Sequence, residues 1–482
     1  MERSAGILLP VFSLPGAYGI GSLGREARAF AEFLHNAGQR WWQVLPVGPT
    51  GAGNSPYTSE STFAGNPLLI DLEDLRDQGL LTEAELSAAR VPEGAPIDYA
   101  ALYESREALL RRAFSRLGGA EAQSVRDFAA APWLGEYALY RALKARFGQT
   151  AWFDWPDKDL LNHDPAALAA ARQELAEDIA FHQAVQFWFF SQWKALKDHA
   201  NGLGVRIIGD LPIYVSLDSA DVWSERREFL LDKAGRPSRV AGVPPDYFSE
   251  EGQLWGNPLY DWAAQKRDGF GWWIRRVEGA SRLFDAIRID HFRAFERYWS
   301  IPAGAETAKE GQWEPGPGMD LLRVLTGWFP HITYIAEDLG LLTPEVHQLR
   351  EAAGLPGMKV LEFAFSGPGN DYLPHNYGSR RCVCYTGTHD NDTALGWYDH
   401  AGEAERAFAE RYLGASGREN VRQALLRCGM GSTAELFVAQ MQDYLALGSE
   451  GRINVPGVAA GNWRWRMAPG AAAAGLAADI RR

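Results

Sequence analysis

Cysteine is scarce, with three residues in a chain of 482. So few cannot staple a fold of this size, which excludes a disulfide-built scaffold and suits a reducing compartment. Positive charge is in deficit too: 48 Lys and Arg stand against 61 Asp and Glu, a formal net charge of −13. Such a surface repels polyanions, so neither nucleic acid nor an anionic membrane face is an expected partner. No uncharged apolar run approaches the roughly 20 residues of a spanning helix. The short run Gly6-Ile7-Leu8-Leu9-Pro10 falls well below a secretory leader's apolar region. The expected location is the cytoplasm. Among ten histidines there is no H-x-H or H-x-x-x-H pair, which disfavours a metal-hydrolase site. Neither a metal nor a cofactor is expected. What is abundant is aromatic: 18 Trp, 17 Tyr and 23 Phe, enough for a large core and for an open stacking surface.

Hydrophobic content of 46% and charged content of 23% are ordinary globular values. The length allows about three domains or one large barrel with insertions. Short apolar runs at 6–9, 41–47, 205–209, 284–289, 332–336, 358–363 and Cys382–Tyr385 read as strands, with 452–455 as a last one. Helical patterns separate them, beginning with 26–37, where Ala29, Phe30, Phe33 and Leu34 share a face and Gly38 ends the run. Residues 71–178 are Leu- and Ala-rich and strongly helical, and continue into a long amphipathic helix at 178–199. Near-continuous apolar strands alternating with helices predict a parallel sheet covered on both faces. The expected fold is α/β, a (β/α)8 TIM barrel with a helical insertion and long active-site loops; the alternative is an open doubly wound sheet. The barrel takes 1–70 and 200–482, the insertion 71–199, and a loop subdomain 216–280.

The strands end in acids. Ile208-Gly209 runs into Asp210, Arg288-Ile289 into Asp290, Ile335-Ala336 into Glu337 and Asp338, and Cys384-Tyr385, after Thr386-Gly387-Thr388, into His389 and Asp390. A single strand-end Asp commonly caps the next helix. Four on one barrel point to its C-terminal face, where barrel active sites assemble. Several carboxylates with stacking aromatics suit glycosidic bond cleavage, in which one carboxylate attacks or activates water and another protonates the leaving oxygen. A dinuclear carboxylate metal site is the weaker alternative. Gly19-Ile20-Gly21-Ser22-Leu23-Gly24 matches a dinucleotide fingerprint literally, but Pro10 and Pro15 interrupt the preceding strand. The stretch 48–55 has P-loop spacing, yet Asn54 stands where a lysine is required. Cys382 and Cys384 read as small buried residues.

The strings Arg288-Ile289-Asp290-His291-Phe292-Arg293, Ala336-Glu337-Asp338-Leu339-Gly340 and Gly387-Thr388-His389-Asp390-Asn391-Asp392-Thr393 resemble the amylomaltases, the 4-α-glucanotransferases of the α-amylase clan (glycoside hydrolase family 77). Gly209-Asp210-Leu211-Pro212, Asp246-Tyr247-Phe248, Trp255-Gly256-Asn257-Pro258 and Gly461-Asn462-Trp463 agree with it in order, over nearly the whole chain. The resemblance implies Asp290 as nucleophile, held ionised by Arg288, Glu337 as general acid/base, and Asp390 as transition-state stabiliser aided by His389. It implies substrate binding by Tyr57, Asp210, Tyr247, Phe248, Gln253, Trp255, Asn257, Arg288, His291, His389 and Asn462, under a loop at 243–255 that arches over the cleft and carries Pro244. The implied substrates are α-1,4-glucans and maltooligosaccharides, disproportionated and cyclised by retaining chemistry. That chemistry places the Asp290 and Glu337 carboxyls about 5–5.5 Å apart. An α-amylase-type hydrolase and a non-catalytic glucan-binding protein are the alternatives.

Overall fold

A computed structural model of the chain describes residues 2–92, 94–245, 250–340 and 342–482. Eight parallel strands make one sheet: β1 (Ser4–Leu8), β2 (Trp41–Gln43), β3 (Arg206–Leu211), β4 (Ala286–Ile289), β5 (Thr333–Ala336), β6 (Gly357–Val360), β7 (Cys382–Tyr385) and β8 (Leu436–Gln440). Parallel pairing requires a crossover between strands, and the intervening helices supply it. The sheet curls round so that β1 pairs with β8 as well as β2, from Ser4 opposite Leu436 to Leu8 opposite Gln440. Between β5 and β6 no ladder forms. There the Ala336 N–H donates to the Pro356 carbonyl at 2.9 Å. Asp338 ties the same seam, accepting from the Met358 N–H at 2.6 Å and from Arg350 at 2.6 Å. Gly357 leaves room for it, since a Cβ there would lie 2.3 Å from the Asp338 Oδ2. The result is the (β/α)8 barrel expected from the strand–helix rhythm.

One expected strand is corrected. Residues 452–455 are irregular, and the eighth strand is Leu436–Gln440, buried throughout. Its apolar run Leu436-Phe437-Val438-Ala439 lies five residues beyond the helix Arg418–Gly431, and by periodicity alone a run so short reads as more helix. The run at 358–363 is also shorter as a strand, because Leu361–Phe363 turns away as a 3-10 segment.

Between β2 and β3 the chain is helical from Leu72–Asp77 to the long helix Ala176–Gly202, which buries Phe181, Trp188, Phe189 and Trp193. Beyond β3 a second sheet forms, antiparallel, in the order Gln253–Pro258, Arg239–Val243, Arg297–Pro302, Gln312–Pro315. Its first two strands come from the β3–β4 connection and the others from the β4–β5 connection, so it draws on residues past 280. Most of the tryptophan is core: Trp42, Trp152, Trp155, Trp188, Trp193, Trp223, Trp272 and Trp273 are fully buried. Among the described residues no helix is long and apolar enough to cross a membrane.

Candidate active site

Parallel strands in register end at one height, so their terminal side chains meet. Asp210 stands opposite Arg288 in the β3–β4 ladder, and Ile289 opposite Ala336 in the β4–β5 ladder. Asp290 and Glu337 are each the next residue. Arg288 and Asp290, two apart, share a face. The buried Arg288 Nη1 donates to Asp210 Oδ1 at 2.8 Å and Oδ2 at 2.7 Å, and to Asp290 Oδ1 at 3.1 Å. The Asp210 side chain is wholly enclosed, whereas Asp290 keeps 27% of its surface open to the cleft. Tyr57 also reaches Asp210, its hydroxyl donating to Oδ2 at 2.7 Å.

Glu337 is held by backbone instead. Its Oε2 accepts from the His291 N–H at 2.7 Å and its Oε1 from the Leu339 N–H at 3.0 Å. The first bond depends on His291 taking the left-handed conformation, φ 47° and ψ 49°. For a residue with a Cβ this costs roughly 1–2 kcal/mol. The turn aims the His291 amide at Glu337 and sets its ring edge-on to Trp255, centroids 4.9 Å apart.

Asp390 arrives from the far side, on a turn beyond β7. Its Oδ1 accepts from Asn454 Nδ2 at 2.6 Å and lies 3.3 Å from His389 Nε2, and Arg452 donates to its carbonyl at 2.7 Å. At 44% side-chain exposure it is the most open of these acids. The His389 ring stacks on Tyr57, centroids 5.0 Å and planes 16° apart. Burial lowers the His389 pKa against the opposing pull of Asp390. The ring is therefore neutral, and its Nε2-protonated tautomer can donate to that carboxylate.

Two carboxylates thus share one guanidinium, with Glu337 and Asp390 near enough to act on Asp290 through their charge. Burial pushes Asp290 up to about 8; Arg288 opposes the rise, and Asp210, Glu337 and Asp390 add to it. Arg288 contacts Asp290 as the resemblance implies, but burial outweighs its pull. Burial raises Glu337 as well, against Arg288 and the two backbone donors. The two acids therefore titrate as a pair that retains a proton near neutral pH. Paired carboxyls carrying a proton, beside an open acid and a stacked aromatic, form an acid/base site for a neutral polyol substrate.

A family model described as 4-alpha-glucanotransferase matches residues 9–472. The chain belongs to the 4-alpha-glucanotransferase family. It is 52% identical to the 4-alpha-glucanotransferase of Thermus thermophilus over 98% of this chain and 96% of that one. It is 44% identical to the chloroplastic/amyloplastic 4-alpha-glucanotransferase of Solanum tuberosum, over 97% of this chain and 82% of that protein. The amylomaltase of Streptococcus agalactiae, solved in complex with acarbose, matches the fold with a TM-score of 0.96 at 37% identity, covering 100% of this chain and 98% of that one. The activity expected from the motifs, transfer of α-1,4-glucan segments, is the activity of this family.

The remaining candidates of this glucanotransferase occupy different places. Gln253 and Trp255 lie on the strand Gln253–Pro258, with Trp255 Nε1 donating to Gln253 Oε1 at 3.1 Å and 37% of Trp255 exposed. Asn257 donates to the Val215 carbonyl at 2.8 Å, which anchors that strand to the segment following β3. Asn462 accepts from the Val455 N–H at 3.0 Å and donates to the Val458 carbonyl at 2.8 Å, so its amide staples its own loop. Tyr247 and Phe248 lie outside the described residues. Sequence reasoning missed Asn454 and Arg452, which no motif marked. It also passed over Trp463, whose ring centroid is 5.9 Å from Tyr57 and 6.0 Å from His389, although its neighbour Asn462 was singled out. The fingerprint at 19–24 is filled by protein: a Cβ on Gly24 would lie 2.0 Å from Asp71 Oδ2, and Ser22 donates to that oxygen at 2.6 Å. A carboxylate there repels phosphate. A cavity of about 390 Å³ beside Phe329, Ile332, Leu355 and Pro356 opens at the opposite end of the barrel from the acids.

Proposed function

We propose that this glucanotransferase works by retaining double displacement, with Asp290 as nucleophile, Glu337 as acid/base and Asp390 as transition-state stabiliser. The arrangement around Arg288 carries the reading. Its full charge bonds Asp290 directly, while Glu337 receives only neutral amide donors, and charge-assisted bonds are about twice as strong. That asymmetry favours ionisation of Asp290 over Glu337, against the burial that raises Asp290, and the mechanism draws the pair's proton from Glu337. In the first step an Asp290 oxygen attacks the anomeric carbon, and Glu337 gives its proton to the departing glycosidic oxygen. A glucosyl ester forms on Asp290. In the second step Glu337 takes the proton from an acceptor sugar's hydroxyl, which attacks the same carbon and frees Asp290. The positive charge developing on the ring is met by Asp290 and Asp390. Tyr57, Trp255 and His291 line the cleft for sugar rings, and Asp210 fixes Arg288.

Maltooligosaccharides and amylose are the donors, glucans and glucose the acceptors, and disproportionation with cyclisation of long chains the outcome. The acarbose held by the Streptococcus agalactiae relative supports a saccharide in this cleft. We place the reaction in the cytoplasm, a reading supported by the three free thiols Cys382, Cys384 and Cys428. The chain reads as one barrel over 1–70 and 200–482 carrying insertions at 71–199 and 216–280.

Trapping tests the roles. A Glu337→Gln variant given an α-maltosyl fluoride donor needs no acid for the first step, and is expected to accumulate a maltosyl ester that peptide mass spectrometry locates on Asp290. An adduct on another residue, or Asp290→Asn turning over maltotriose at the parent rate, overturns the assignment. The parent enzyme with maltotriose is expected to yield glucose plus longer chains.

A further inference from the structure

Beneath the Asp390 turn lies a second group of acids that the chemistry above does not use. Glu362, in the 3-10 segment after β6, and Asp443, just beyond β8, are both buried, and Asp392 follows Asp390 by two residues. Asp443 is satisfied, accepting from Thr386 Oγ1 at 2.5 Å and from the Ala394 N–H at 2.7 Å. Asp392 accepts from Ser449 Oγ at 2.7 Å and the Thr393 N–H at 2.8 Å, and faces His400 at 3.7 Å and Arg452 at 3.9 Å. Glu362 is different. Its Oε1 has no hydrogen-bond partner, and neither has Oε1 of Gln440, whose Nε2 donates to the Asp392 carbonyl at 2.8 Å. Both side chains close on Gly387, where a Cβ would lie 2.6 Å from Glu362 Oε1 and 2.8 Å from Gln440 Nε2.

A buried acceptor without a donor destabilises the fold, and a charged one does so most. A proton on Glu362 removes its charge, and a neutral carboxyl costs far less to bury with an unpartnered oxygen than a carboxylate does. Among the described residues no three acids, histidines or cysteines are grouped to hold a metal ion, so a cation does not answer the same need. Burial, Asp443 and Asp392 raise the Glu362 pKa well above the usual carboxylate range, against Arg452 and Asn391.

Glu362 is also linked to the catalytic turn. Asn391 and the Glu362 carboxyl meet over Gly387, where a Cβ would lie 3.0 Å from the Asn391 Cβ and 2.6 Å from Glu362 Oε1. The Asn391 Oδ1 accepts from the Thr388 N–H at 2.9 Å and Oγ1 at 2.8 Å, and that Oγ1 accepts from the Asp390 N–H at 3.3 Å. We propose that Glu362 is a positioning residue for Asp390, a neutral carboxylic acid that seats the 388–391 turn and unseats it on ionisation. The proposal rests on the reading of Asp390 as the stabilising acid.

The test compares Glu362→Gln, which keeps a neutral amide in place, with Glu362→Ala, which leaves a gap. The Gln variant is expected to keep kcat within about twofold, and the Ala variant to lose about tenfold or more in kcat with KM changed less, as a displaced group would. Melting temperature supplies a readout independent of activity. The folded chain keeps the Glu362 proton, whereas the unfolded chain releases it above about pH 4.3. The fold therefore binds more protons, and Glu362 makes parent stability fall as pH rises. Relative to the parent, Glu362→Gln should melt progressively higher from pH 5 to pH 8. A flat difference across that range, or a Gln variant as impaired as Ala, overturns the proposal. If the Ala variant does not fold, the Gln comparison still decides. Parent-level activity in Asp390→Asn would sink the role of Asp390, and with it the positioning role, while leaving the pH-dependent melting difference intact.

Discussion

The two walls of the cleft hold their acids by different means. On one wall Asp210, Asp290 and Glu337 stand on three adjacent strands, fixed by ladder register and by one buried arginine. On the other, Asp390 rides a turn and is pinned by Asn454, 64 residues away in sequence. The first wall cannot shift without disturbing the barrel. The second is adjustable, and a loop side chain sets where its carboxylate points. Charge is therefore placed by the fold on one side and tuned by loops on the other.

Three substitutions test that contrast, in order of expected effect. Arg288→Met should be the most damaging, because it strands Asp210 as a buried, unpaired charge; the expected loss is about 3–5 kcal/mol in denaturant unfolding, with activity near background. An Arg288→Met protein as stable as the parent would show that the strand wall does not depend on its ion pair. Asn454→Ala should lower kcat by about tenfold or more, since it removes the side-chain bond that sets the Asp390 carboxylate, while costing less stability than Arg288→Met, at most about 1.5–3 kcal/mol. A large stability loss with unchanged kcat would erase the difference between the walls. The smallest effect is a shift in pH dependence. Asp210 raises the Asp290 pKa through its charge, so Asp210→Asn should move the acid limb of kcat/KM to lower pH. An unmoved limb would assign that limb to another group.

The strand wall was legible in the sequence for the same reason that it is rigid. An acid directly after an apolar run is a local pattern, and parallel register makes such residues converge. β7 was read residue for residue, and the resemblance paired Arg288 with Asp290, whose spacing of two sets them on one face. The turn wall was not legible. Nothing near Asn454 marks it as a partner of Asp390, because loop contacts are set by chain paths rather than by periodicity. The same blindness put a strand at 452–455, residues that instead brace the Asp390 turn, and overlooked Leu436–Gln440. Asp338 looked like one more strand-end acid and turned out to tie the β5–β6 seam. Asn462 and Asn257 were read as substrate-binding groups; the bonds described above are to protein backbone, Asn257 to Val215 and Asn462 to Val455 and Val458. Arg288 was expected to keep Asp290 ionised; how far burial would oppose it depends on packing that no motif reports.

The pairing of β1 with β8 also bears on synthesis. Ser4 has its partner at Leu436, so the first strand made is among the last to be completed. A ribosome adding about 5–20 residues per second has to work for tens of seconds before that partner emerges. Until then one long edge of β1, including Ile7 and Leu8, has no strand beside it. Truncations short of residue 440 leave that edge unpaired and should aggregate rather than form a smaller barrel.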